Sequence, residues 1–525
     1  MSRDFDVAVV GSGFAGSLFA LLARRLGRSV VLIEKGTHPR FAIGESSSPL
    51  ANLLLEELCD RYDLPRLKPL AAWGTWRRAY PEIGCGLKRG FTFYGHRQGK
   101  GFAADRERRD QLLVAASPRD EVADTHWYRA DFDHFLLRET EAEGAEYLDE
   151  TRLESFRVCG DGAALEGVRR GKRVSLTARF VVDASGPRGF LHRSLRLPEE
   201  GFRGFPSTQG LYTHFEGVAR LDQMGIFVSP ESPPYPADDA AVHHVLEHGW
   251  IWVLRFGNGI VSAGVAAAPR LARRISFEDG ARAWERLLSL YPTVAEQFAR
   301  ARPVRPFVHS ELLPFRSGAA AGLTWALLPS AAAFVDPLLS TGIPLALLGI
   351  QRLAEALEKH WNRPSFERAL GGYAASTLSD ADAAALLIAA LYATFSDFEL
   401  FAALCLLYFA AASFTEAAHR IGRAELAGSF LSRDHPVFGP ALRSCCEEAL
   451  ASRGGRGAKL ERRRLIEKIY RAIEPLDVAG LGSRGRRNWH PVEAGPLLQT
   501  AHKLGATEQE IQGMLERSGF FPEAA

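Results

Sequence analysis

A chain of 525 residues has room for two domains, or for one large composite domain with a lobe added. Its 46% apolar and 24% charged residues are those of a globular protein, and a formal charge of +2 argues against a dedicated nucleic-acid binder. The six cysteines (59, 85, 159, 405, 445 and 446) form no CxxC pair or zinc spacing, so reduced thiols, a cytoplasmic location and no metal are expected.

The opening "MSRDFDVAVVGSG" runs straight into an apolar strand and has no signal-peptide layout. Val7 to Val10 are expected as a strand, a helix should follow to about Leu26, and "SVVLIEK" should be the second strand. Between strand and helix, Gly11, Gly13 and Gly16 give G-x-G-x-x-G. In this pattern the first glycine permits the tight turn, the second lets backbone approach a pyrophosphate, and the third allows close helix–strand packing. The helix start offers oriented N–H groups to phosphates. Glu34, ending the second strand, is placed to accept from ribose hydroxyls and to repel a 2′-phosphate.

Trp73, Trp76 and Tyr80 fall on one helical face, as core or as pocket lining. In "GLKRGFTFYG", Phe91 and Phe93 alternate with Thr92 and Tyr94, and Lys88 leads in. A helix with apolar Phe132, Phe135 and Leu136 is expected in 126–148, and "TARFVVDASGPRG" is a buried strand ending at Asp183. In "GWIWVLRFG", Trp250 and Trp252 share one face of a strand; they are core or the wall of a cofactor site. His243 and His244 point to opposite faces and make a poor chelate. In 327–357 a strand leads to Asp336-Pro337 and a helix starting near Gly342. From about Ser365 the pattern is helical, with Ser396 and Glu399 read as a capping box and "LFAALCLLYFAAASF" as a buried helix, short of the ~20 residues that span a bilayer. A basic loop leading into a helix is expected in 451–468, and a small capped helix from Thr507 to Ser518.

Taken together, "GSGFAG", "IGESSSP", "LKRGFTFYG", "YRADFDHFLL", "VVDASGPRG", "GWIWV" and "FVDPLLSTGI" resemble the flavoprotein monooxygenase superfamily and, within it, the flavin-dependent halogenases of phenol or pyrrole type. The resemblance covers residues 5 to 415. It implies an α/β fold: a Rossmann-like FAD-binding domain (segments 5–50, 105–190, 305–363) interwoven with a β-sheet substrate domain (70–104, 205–304), plus a helical C-terminal lobe from 364 to 525. FAD is the implied cofactor. Its contacts are placed at Gly11, Gly13, Phe14, Ala15 and Gly16, at Glu34, Lys35 and Ser46, and at Arg129, Asp183, Asp336 and Ile343, with Asp336 on the ribityl chain. No second G-x-G-x-x-G stands in mid-chain, so a separate flavin reductase is the implied supplier of reduced FAD.

The resemblance further implies that reduced FAD, oxygen and a halide ion yield hypohalous acid, which travels a closed passage to an aromatic substrate, free or carrier-bound. Thr341 and Gly342 would hold the halide, Lys88 would be the catalytic residue at the far end, and Trp250 and Trp252 would shield the flavin. Leu339 stands where tryptophan-type members carry a glutamate, which favours a phenol or pyrrole. Leu254-Arg255 replaces the family's Ile-Pro, and Arg255 is thereby a candidate cation near the passage. The C-terminal lobe would cover the substrate end through Phe395, Phe398, Phe401 and Tyr408. An FAD-dependent monooxygenase or reductase without halogenation, and a flavin-binding protein without turnover, remain open.

Overall fold

Two large sheets, with a three-stranded and a two-stranded one beside them, form the β-structure of the described residues of the computed structural model, 4–225, 231–452 and 458–521. In the first, parallel strands run in the order Trp325–Leu327, Lys172–Asp183, Phe5–Val10, Val30–Ile33, Glu146–Leu148. The strand Phe5–Val10 lies between two neighbours, Val7 facing Phe180 on one side and Val30 on the other. Its interior residues are buried on both faces, which explains the unbroken apolar run. Helices Phe14–Arg25 and Arg129–Ala142 pack together beside this sheet. The long strand Lys172–Asp183 also pairs antiparallel with Gly162–Arg169, and that with Thr151–Cys159.

The second sheet has nine strands, and alternation sorts its residues between two cores. His243 faces Trp252 across one strand pair and Phe93 across the next. These residues, with Trp250 and Phe91, point toward the glycine turn and the helical lobe. The odd-phase set, Val242, Ile251, Val253 and Val265, packs into a separate cluster on the other face. His244 belongs to that second face, bonding His96 and Gln297, so the two histidines do diverge.

The segment bounds need two corrections. Gln111–Ala115 and Val308–Ser310, expected in the FAD part, are strands of the second sheet. The C-terminal region is not purely helical either: Trp489–His490 adds a parallel strand beside Gln111–Ala115. Its core is continuous with that of the FAD region, so one cluster runs from Val7 to Leu515.

The helix Phe398–Arg420 is long and apolar enough to cross a membrane, yet 83% of its most apolar window is buried within the molecule. Its N-cap is Asp397, whose carboxylate accepts from the Leu400 amide at 3.3 Å; the expected Ser396–Glu399 box is not formed, and Glu399 instead meets Arg462. The box at Thr507 and Glu510 does form. Residues 453–457 of the basic stretch lie outside the described residues, and the helix Ala458–Ile473 follows them. All six cysteines are free, with five buried and Cys159 exposed. Trp76 is core: its indole N–H donates to the Ile83 carbonyl and its ring stacks on Phe132.

Candidate active site

A cavity of about 560 Å³ opens where the glycine turn, the two tryptophans and the start of the helix Gly342–His360 meet. The glycines shape one end. Gly11 has φ +100°, and a Cβ there would lie 2.7 Å from the Ala184 carbonyl oxygen. A Cβ on Gly16 would sit 1.9 Å from the Gly11 carbonyl oxygen. A Cβ on Gly13, by contrast, would make only ordinary contacts, with guanidinium nitrogens of Arg40 and Arg129 and with Asp133 Oδ2, each 3.6 Å away. Two cations and a helix N-terminus around a bare backbone are the donor set a pyrophosphate needs. FAD fits this end, with Gly13, Phe14, Ala15 and Arg129 all lining the cavity. Sequence reasoning missed Arg40; nothing in "HPRFAIGE" separates it from a surface arginine until the chain folds back.

Arg129 is held rather than free. It forms a fork with buried Asp133, at 2.6 and 2.8 Å, and donates to the Ile43 and Gly44 carbonyls. Glu34 is buried beside the turn, accepting from the Ser12 amide and hydroxyl, the Gly36 amide and Arg40. Burial alone would raise its carboxyl, but Arg40 and these donors outweigh it and the pKa is lowered. Lys35 is exposed and does not line the cavity. Asp183 does not line it either: its oxygens hold Ser185 and the Leu191 amide, which fixes the Ala184–Gly186 turn that does.

At the other end Trp250 and Trp252 line the cavity with ring centroids 5.7 Å apart. Trp252 lies against the backbone of Gly264, where a Cβ would come within 2.4 Å of its ring. Trp250 is tied by its indole N–H to Asp336 at 3.1 Å, and Tyr392 donates to the other carboxylate oxygen at 2.8 Å. Burial pushes the Asp336 carboxyl up to about 6 against the pull of Leu338, Tyr392 and Trp250. Asp336 lines the cavity, but its acceptor sites serve these neighbours, so its observed work is to hold the tryptophan wall. The wall and the core are thus the same residues. Arg255 is no cation of this site; it bonds Asp238 and the Val218 and Ala219 carbonyls, while Leu254 lines the cavity.

Leu339 and Ser340, at φ 64° and 54°, place two consecutive non-glycine residues in left-handed backbone directly before the helix. Such residues cost about 1 kcal/mol or more each and persist where surrounding contacts over-determine them. The result leaves Gly342 exposed to the cavity at the first turn of the helix, with buried Thr341 beside it. Ile343 lines the cavity as well. The Ser340 hydroxyl bonds Ser46 at 3.1 Å and accepts from the Lys88 ammonium at 3.4 Å.

Lys88 is fully buried. Its Nζ also donates to the Ser46 hydroxyl at 3.0 Å and to the Ser47 carbonyl, and it stands 3.9 Å above the Phe91 ring. Burial lowers its pKa, with nearby Asp124 opposing. The serines of "IGESSSP" are therefore the lysine's cradle, and Ser48 caps the helix Pro49–Arg61 by accepting from Ala51. A second cavity, about 190 Å³, lies beyond Phe91. Ser48, Phe91, Tyr408, Phe409, Arg420 and His490 are among its walls, with C-terminal residues Met514 and Phe520 closing it. Of the four aromatics expected there, only Tyr408 lines it. Phe395, Phe398 and Phe401 are core, Phe401 packing on Phe93 at 5.7 Å. No group of His, Cys, Asp and Glu suited to a metal occurs among the described residues.

A dinucleotide end, an aromatic-walled end and a buried amine beside it define a flavin-binding α/β protein with an appended substrate region. The family described as FAD dependent oxidoreductase matches residues 6–327, and the chain belongs to it, with FAD as its cofactor. The chain is 32% identical over 365 residues to monodechloroaminopyrrolnitrin halogenase PrnC of Pseudomonas fluorescens, covering 68% of this chain and 62% of that protein. It is 29% identical over 348 residues to tetracycline 7-halogenase of Kitasatospora aureofaciens, covering 65% and 61%. The alignments thus span less than two-thirds of those relatives. The crystal structure of halogenase PltM in complex with phloroglucinol and FAD superposes with a TM-score of 0.80 over 92% of this chain and 99% of that one, at 23% identity, which shows a shared fold.

Proposed function

We propose that the protein is a flavin-dependent halogenase acting on a small electron-rich aromatic of phenol or pyrrole type, free or carrier-bound, with reduced FAD supplied by a separate flavin reductase. The observation that carries the reading is one contact chain. Lys88 and Ser340 are 252 positions apart in sequence, yet the lysine amine bonds the residue next to the proposed halide pair. The curated relatives above carry halogenase names, which supports the same reading.

What bound FAD supplies, once reduced, is the activation of oxygen that turns halide into an electrophilic halogen oxidant. The chain's own residues do the rest. Gly13, the helix start at Phe14, Arg40 and Arg129 hold the pyrophosphate. The Thr341 hydroxyl and the amide at the Gly342 helix start hold the halide, because an anion is stabilised by N–H groups at a positive helix end. Trp250 and Trp252 keep organic substrate and bulk water off that end. Lys88, which lines neither cavity but bonds Ser46 and Ser340 of the first and stands over Phe91 of the second, donates a hydrogen bond to the oxidant or presents its free amine to it. The second cavity takes the aromatic ring.

The test is direct. FAD-loaded protein is incubated with a flavin reductase, NADH, oxygen, bromide and a panel of phenols and pyrroles. A product heavier by one bromine supports the proposal; a product heavier only by oxygen indicates a monooxygenase instead. Lys88→Ala should keep FAD uptake and lose bromination at least ~100-fold, the scale of removing a positioned acid–base group. Bromination unaffected by Lys88→Ala removes the lysine's role even if the class stands.

A further inference from the structure

Lys88 has a buried carboxylate opposite it. In the antiparallel pair Cys85–Lys88 and Asp124–Trp127, Lys88 is in register with Asp124, so both side chains leave the same face. Asp124 is 5% exposed, and only one of its oxygens has a hydrogen-bond partner, the Asn52 amide at 3.1 Å from the helix Pro49–Arg61. Its Oδ2 is buried with none. A buried carboxylate so poorly supplied with donors keeps its charge only if a cation stands close. The other side of the pair is built for an ammonium: three oxygens, of Ser46, Ser47 and Ser340, receive what Lys88 donates.

We propose that Asp124 is a positioning residue for Lys88, holding that amine in its charged form from the opposite strand. The remaining groups around the pair do not replace it. His126 on the same strand and His243 on the neighbouring sheet are buried and stay neutral, each pushed down to about 3, by burial first. From the helix Phe398–Arg420, Glu416 and Arg420 bond each other at 2.9 Å and act on Asp124 in opposite directions. Tyr408 of that helix is held in its neutral form by burial. Asp124 is therefore the carboxylate whose charge opposes the desolvation of Lys88. Removing its charge leaves desolvation unopposed and favours the free amine.

The consequence for turnover rests on the halogenase reading; the charge coupling does not. The test is an NMR pH titration of lysine ¹³Cε signals in the FAD-loaded protein, the Lys88 signal being assigned by its loss in Lys88→Met. In Asp124→Asn the Lys88 midpoint should fall by about one pH unit or more, a tenfold change in its acid constant. Asn52→Ala, which weakens the carboxylate form of Asp124 without deleting it, should shift the midpoint the same way by less. A change under about twofold in both variants, or an upward shift, overturns the proposal. If Asp124→Asn does not fold, Asn52→Ala decides by the same criterion. The basic limb of the bromination profile should move with the NMR midpoint. A moved midpoint in a protein that brominates nothing supports the Asp124 role and refutes the halogenase reading.

Discussion

Trp252 keeps its place because Gly264 stands opposite it in the adjacent strand. A methyl group at 264 would meet the indole at 2.4 Å and the Tyr212 Cβ at 2.3 Å, and neither strand backbone can yield without breaking the ladder. Gly264→Ala should therefore destabilise the protein by about 1–3 kcal/mol, as overpacking does. It should also weaken FAD uptake, because the same indole walls the cavity. Denaturant unfolding and flavin titration check both; a stable variant with unchanged FAD affinity would mean the wall is looser than the structure shows. The lone glycine in "VSAGVAA" carries no motif, so this constraint was not legible in sequence. Lys88 was singled out in sequence by its resemblance to phenol- and pyrrole-type halogenases, with a lysine before a glycine and an aromatic strand. Asp124 was not: an aspartate at the head of a four-residue strand looks like any surface carboxylate until the strand pairs.

The elements themselves were mostly readable, and the reasons are local. Three glycines between a strand and a helix leave few alternatives, and the observed helix Phe14–Arg25 ends within a residue of its expected limit. The start of the helix at Gly342 was readable too. The two left-handed residues before it were not, since leucine and serine announce no such backbone. Capping shows the limit at single-residue resolution. Ser396 and Asp397 are both good caps in isolation, and tertiary context selects Asp397, which also pairs with Arg462 at 2.6 Å. Asp397→Ala should cost about 1 kcal/mol of unfolding free energy. Ser396→Ala should stay within about 0.5 kcal/mol of the parent, as surface changes usually do. Urea melts of the two variants decide it, and equal losses would restore the capping box as read from sequence.

At the scale of the whole molecule, burial of imidazoles ties the nine-stranded sheet, with its C-terminal strand Trp489–His490, to pH. His126, His243 and His490 are pushed down to about 3 and His244 to about 4, in each case by burial first, and burial also lowers His96 well below its ordinary value. Each is neutral when folded and, once unfolded, titrates near its ordinary value of about 6.5. Near pH 5 unfolding therefore takes up about one proton at each of these five sites. Asp336, raised to about 6, and Asp183 and Asp238, raised by burial, work the other way: they hold protons when folded and release them on unfolding. The buried imidazoles outnumber these carboxylates, so stability should fall as pH drops from 6.5 toward 4. Above pH 6.5 these histidines are neutral in both states and the slope should flatten. Because these histidines sit in or beside the nine-stranded sheet and the pair Cys85–Lys88 with Asp124–Trp127, acid should act there before it acts on the parallel sheet. Unfolding free energies at pH 7, 6 and 5 test the sign, and His490→Gln should remove about one proton's share of the slope, about 1.4 kcal/mol per pH unit. Stability that holds level or rises toward pH 5 would show that these rings are protonated in place, with water reaching them.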